Sequence, residues 1–179
     1  MPTPLAHTGF ALAVALGIPR SGLNTGLVAR QVGALVVLAN LADVDFAPGL
    51  VTGNAVAFHH GFTHSFLFAG LAAFAVARVF GLAPWRAFAC AASHPVLDWL
   101  TGEPGADVAR YGVALFWPWP ARFMSDAHVF GVYHIDRLGL LGGVLNLGAL
   151  EPLSRELVFV VGCMALGLAA SRPGRPVSP

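Results

Sequence analysis

His59-His60-Gly61-Phe62-Thr63-His64-Ser65 sets the reading of this chain: three histidines fall within six residues, and an apolar run over 65–83, broken by Arg78, follows at once. Two other stretches look like its partners, Leu41-Ala42-Asp43-Val44-Asp45 upstream and Ser93-His94-Pro95-Val96-Leu97-Asp98 downstream. Each ends an apolar segment. Burying an unpaired polar or charged group is costly, so imidazoles and carboxylates gathered in an oily chain need a partner. A metal ion is the simplest one.

The composition places the chain in a membrane. Mean hydropathy is +0.71, and 11% of the 179 residues are charged, against roughly 25% in soluble domains. All ten cationic side chains are arginine and the net charge is +1. No basic run offers a phosphate-tracking patch, so no nucleic-acid partner is expected. Cys90 and Cys163 lie far apart in apolar surroundings and read as inert, buried thiols. The N-terminus lacks the charged region of a secretory signal peptide.

Outward from the histidines, residues 4–18 and 26–42 are apolar segments, 46–58 read as a loop through Pro48, Gly49, Gly53 and Asn54, and 85–100 form a fourth apolar segment. Residues 101–137 carry Pro104, Gly105, Trp117, Pro118, Trp119 and Pro120 and read as an irregular interfacial region. Two further apolar stretches, 138–150 and 157–171, flank Glu151 to Glu156, and the tail is rich in Pro and Arg. A full crossing needs about 20 apolar residues. The expectation is therefore an all-α fold: a polytopic membrane helical bundle of about four to six apolar helices, one domain over 1–171, with a disordered tail at 172–179. The lipid bilayer is its first partner.

If each segment crosses once, His7, the Asp43/Asp45 pair, the His59/His64 pair and the His94/Asp98 pair all arrive at one membrane face. His94 and Asp98 are four residues apart, which places them on one side of a helix. Pro95 between them is tolerated or kinks a membrane helix. The 101–137 region then covers that face.

Imidazole and carboxylate without thiolate point to a divalent metal, zinc first, with iron, manganese and nickel as alternatives. His7, Asp43, Asp45, His59, His64, His94 and Asp98 are the candidate ligands, enough for one to three ions. Metals in such sites activate water and polarise phosphoryl or carbonyl oxygens. Asp43 or Asp45 would bridge metals or act as general base. The substrate expected is a phosphoester or lipid, for example a phospholipid headgroup. Each residue has a blander reading: Asp43 and Asp45 could cap a helix end, although carboxylates are disfavoured at a C-terminus, and His94 and Asp98 could pair structurally. His60 and His128 are set aside as ligands; His134 and Asp136 stand as a further possible pair. Ser65 or Ser93 as a nucleophile lacks the G-x-S-x-G elbow. The alternative of another class is a non-enzymatic metal-binding or transport bundle, but transporter sites lie near the midplane, and here the polar residues sit at segment ends.

These residues resemble the YdjM-like, inner-membrane-associated family of metal-dependent hydrolases. The resemblance rests on His7-Thr8-Gly9, Leu41 to Asp45, His59 to Ser65, Ser93 to Thr101 and Leu115-Phe116-Trp117-Pro118, in the family's order, over roughly residues 5–137. It implies a bacterial inner-membrane location. That family is distantly similar to zinc-dependent phospholipases C and single-strand nucleases, helical proteins with a trinuclear site of His and Asp that includes an H-x-x-x-D pair. His94 and Asp98 match that pair, and no second downstream pair occurs here. Ala42 stands where the family has proline. His60 stands where it often has arginine, which either removes a phosphate-binding cation or adds a ligand.

Overall fold

A computed structural model describes residues 2–18, 24–54, 58–102, 104–133 and 147–171. Seven α-helices follow one another among them: α1 Pro4–Leu16, α2 Thr25–Asn40, α3 Phe46–Thr52, α4 Phe66–Phe80, α5 Pro84–Trp99, α6 Val108–Tyr111 and α7 Leu150–Ala170. The described residues contain no strand, only the isolated bridges Thr101 to Phe130 and Val113 to Phe123. His134, Asp136, most of the 138–150 stretch and the 172–179 tail lie outside the described residues.

Local signals set the helix ends. Thr3, Asn24 and Ser65 accept hydrogen bonds from the first-turn amides of α1, α2 and α4, the usual N-cap chemistry. Proline opens α1 and α5, where its missing N–H costs nothing. Gly81, at φ 63° in the left-handed region, ends α4 as a C-terminal glycine does.

These ends revise the segment boundaries. The 65–83 run yields a helix of 15 residues, because Gly81 stops it. Residues 46–52 are helical rather than a loop, since Pro48 sits in the first turn of α3, where proline is tolerated. The Glu151 to Glu156 break is the opening of α7, with Pro152 in its first turn and Glu151 on the favourable end of the helix dipole. Among the described residues, two helical stretches are long and apolar enough to cross a membrane, Thr25–Gly49 with 25 residues and Leu147–Ala170 with 24. Pro4–Leu16 and Phe66–Phe80 are apolar but shorter.

The core between α1, α2, α4 and α5 is largely alanine: Ala11, Ala15, Ala34, Ala39, Ala69, Ala73, Ala77, Ala87 and Ala91 are buried around Leu35, Leu38 and Cys90. Small side chains let helix backbones approach closely. α7 packs parallel to α1. Near one end, Thr3 donates from its amide and hydroxyl to Glu156 at 2.8 and 2.5 Å; near the other, Gly167 lies against the Ala13 carbonyl. The outer side of α7 exposes Leu157, Val158, Val161, Leu166 and Leu168.

One end of the bundle gathers the start of α1, the end of α2, the start of α4 and the end of α5. The 101–133 region lies over it. Ala114 N donates to His60 O at 3.1 Å, Phe66 N to Leu115 O at 2.9 Å, and Ser125 N to Trp99 O at 2.9 Å.

Candidate metal centre

The polar residues converge at that covered end. His7 comes from the first turns of α1. Asp43 and Asp45 stand on the 3-10 stretch Leu41–Asp45 that tightens the end of α2. His59 and His60 precede a second short 3-10 turn, Phe62–His64, which delivers His64 just before Ser65 caps α4. His94 and Asp98 lie on the last turns of α5. His7, His64 and His94 are fully buried, and Asp98 is 2% exposed.

Their reactive atoms face one another. Asp98 Oδ2 lies 3.1 Å from His64 Nε2 and 3.3 Å from His94 Nε2. It is 3.8 Å from His60 Nε2, while Asp98 Oδ1 is 3.8 Å from His7 Nε2. Asp43 Oδ1 lies 3.3 Å from His94 Nε2 and 3.8 Å from His64 Nε2. All these atoms, and His59 Nε2, are buried without a hydrogen-bond partner. Three groupings have donor atoms within 4.8 Å of one another: His59, His60, His64 and Asp98; Asp43, Asp45, His59 and His64; and His7, His94 and Asp98. Asp98 and the His59/His64 pair each belong to two of them.

Behind the rings, the other nitrogen is held. His94 Nδ1 donates to Ala39 O at 2.7 Å, and His60 Nδ1 donates to Tyr111 O at 2.8 Å. His59 Nδ1 donates to Asp45 Oδ1 at 2.8 Å. His64 Nδ1 is 3.0 Å from Asp45 Oδ2, which also accepts from the Thr63 hydroxyl at 2.8 Å. A proton on Nδ1 leaves the Nε2 lone pair free, the arrangement by which outer partners orient metal-binding histidines. His7 instead stacks on His94, with centroids 3.9 Å apart. Asp45 thus stands behind two imidazoles, whereas Asp43 and Asp98 stand among the Nε2 atoms.

His60, set aside from the sequence, is part of the cluster. It holds a left-handed backbone at φ 65°, uncommon for a residue with a side chain, and this turns its ring inward beside His59. The sequence carries one hint, Gly61, which marks a turn. His128 joins none of the groupings among the described residues. The two serines are committed to backbone: Ser65 Oγ donates to Phe62 O and accepts from Phe68 N, and Ser93 Oγ donates to Cys90 O. Neither hydroxyl is paired with a base.

The charge balance fits a cation. Burial holds His59 and His60 below the ordinary imidazole range, His60 well below it, so both rings are neutral. Burial also opposes a charge on His64, but the carboxylates of Asp45 and Asp98 outweigh it and raise that pKa. Buried carboxylates require compensation, and without a metal a proton on His64 would supply part of it, a role a bound cation would take over. Ligands about 2.0–2.1 Å from one tetrahedral ion lie about 3.3 Å apart, close to the 3.1–3.3 Å contacts of Asp98 and Asp43 with His64 and His94. The donor set therefore fits a divalent metal.

The model of the family described as YdjM inner membrane protein matches residues 1–174. The chain belongs to that family. As a member of the YdjM family, it is an inner-membrane protein, and its two long apolar helices fit insertion into the bilayer. No curated protein and no solved structure matches the chain. The family description carries a location and no reaction, so the chemistry rests on the site itself.

Proposed function

We propose that this YdjM-family protein is a membrane-bound, metal-dependent hydrolase acting on a phosphoester, with a phospholipid headgroup as the leading substrate class. Its shorter apolar helices sit in the bilayer with α2 and α7 as one polytopic bundle. The observation that carries this reading is the set of buried, unpartnered atoms on His7, Asp43, His59, His60, His64, His94 and Asp98, aimed at a common space at the end of the bundle. A bound divalent ion, zinc being well matched to His and Asp, supplies Lewis acidity and lowers the pKa of water.

The protein's own groups then divide the work. Asp98 belongs to two groupings, which supports a role as ligand to one ion or, where two bind, to both. Asp43, whose side chain keeps 19% exposure, stands at the rim and is the candidate to accept a proton from water. Asp45 orients His59 and His64.

Metal analysis of detergent-purified protein, followed by a panel of phosphodiesters and phospholipids, tests the proposal. Bound metal with turnover that His64→Ala and Asp98→Ala abolish supports it. Metal content unchanged in both variants would refute it. Bound metal without turnover on any substrate would favour a non-enzymatic metal-binding or transport role.

A further inference from the structure

The opposite end of the bundle carries a second polar feature that the metal centre does not use. A cleft of about 960 Å³ opens between the end of α1, the start of α2, the end of α4 and the start of α5. Arg30, Arg78 and Arg86 all line it, and no Asp or Glu does. Among the described residues no carboxylate pairs with any of the three, the Arg155–Glu151 pair being the one arginine ion pair. Along α5, Arg86 and His94 are eight residues apart, about 12 Å at helical rise, so the cleft and the metal centre are separate places.

Two of the three guanidiniums are positioned from behind. Arg86 donates from Nη2 to the carbonyl of Gly17, lies 5.0 Å over the Trp85 ring, and keeps a buried Nε without a partner. Arg78 lies 5.9 Å over the Phe74 ring. Gln31 closes the floor by donating to Phe80 O and Gly81 O, both at 3.2 Å. The remaining walls are apolar: Ile18, Leu27, Val79, Phe80 and Leu82. Three like charges in one cleft repel one another unless an anion joins them. The guanidinium fork matches phosphate oxygens, and apolar walls beside it suit an acyl chain. In a membrane protein, basic pockets between helices bind anionic headgroups.

We propose that this cleft binds the phosphate headgroup of an anionic phospholipid, at the membrane face opposite the metal centre. The ligand is a structural or regulatory lipid and not the substrate of the metal site. The proposal does not depend on that site being catalytic.

The test uses the full-length protein, delipidated in detergent and titrated with phosphatidylglycerol, phosphatidylcholine or inorganic phosphate. Bound molecules are counted by native mass spectrometry. Arg30 and Arg78 are exposed, so Arg30→Gln with Arg78→Gln removes charge without emptying the core. The expected result is saturable binding of phosphatidylglycerol in preference to phosphatidylcholine, weakened at least about tenfold in the double variant, with metal content unchanged. Equal retention of both lipids, or unchanged phosphatidylglycerol binding in the variant, would overturn it. Inorganic phosphate that binds as tightly as phosphatidylglycerol and displaces it would overturn the lipid assignment.

Discussion

His64 Nε2 and Asp98 Oδ2 lie 3.1 Å apart, both buried, and neither makes a hydrogen bond. The distance suits a hydrogen bond, yet neither atom makes one; with Nδ1 held by Asp45, the neutral ring presents its Nε2 lone pair to the space Asp98 also faces. Two acceptors aimed past each other at one point are a coordination geometry. Asp98→Ala is therefore expected to lose bound metal beyond the about 10–100-fold weakening typical of an outer-shell change. Elemental analysis of purified protein checks this, and retention of wild-type metal content would contradict the assignment.

Asp45 has a different role, which one substitution separates. Its carboxylate accepts from His59 Nδ1 and Thr63 Oγ1 and contacts His64 Nδ1. Asp45→Asn should weaken metal affinity about 10–100-fold without abolishing binding, as for other orienting partners of metal-bound histidines. Competition against a chelator measures it. A loss as complete as that of Asp98→Ala would make Asp45 a ligand.

Much of this arrangement is legible in the chain because a membrane protein cannot bury stray polar groups. His7, Asp43, His64, His94 and Asp98 stand out as the polar ends of apolar segments, and successive helices that reverse direction bring those ends to one end of the bundle. Three features are not legible, each for a local reason. Spacing cannot tell whether a carboxylate meets a ring from the front or from behind, so Asp43 and Asp45 look alike. His60 depends on a left-handed backbone, which residue type does not announce. Helix length depends on caps: Gly81 shortens α4, while the 3-10 turn after Asn40 carries the α2 stretch on to Gly49.

The left-handed residue gives a way to separate stability from metal binding. At φ 65° a Cβ is disfavoured by about 1–2 kcal/mol, and glycine escapes that cost. In protein stripped of metal, His60→Gly should be more stable than His60→Ala by about 1 kcal/mol. Both variants should bind metal more weakly than wild type. Denaturant unfolding in detergent micelles, with metal titration alongside, distinguishes the two effects. Equal stability would show that His60 does not hold the left-handed conformation.

Two glycines of α7 should respond to a side chain with opposite signs. A Cβ on Gly167 would sit 2.7 Å from the Ala13 carbonyl oxygen and 3.2 Å from its carbon, backbone atoms of α1 that cannot turn aside. Gly167→Val must push the two helices apart, and overpacking of this kind costs about 1–3 kcal/mol. A Cβ on Gly162 meets nothing within 4 Å. Gly162→Ala should therefore be neutral or stabilising by up to about 1 kcal/mol, the difference in helix propensity. Only the first variant should loosen the grip of Glu156 on Thr3, since that contact depends on the same helix pair. Thermal unfolding of the two variants, with cysteine crosslinking between α1 and α7, checks both signs. If Gly167→Val left stability and crosslinking unchanged, the close approach of α7 to α1 would be wrong.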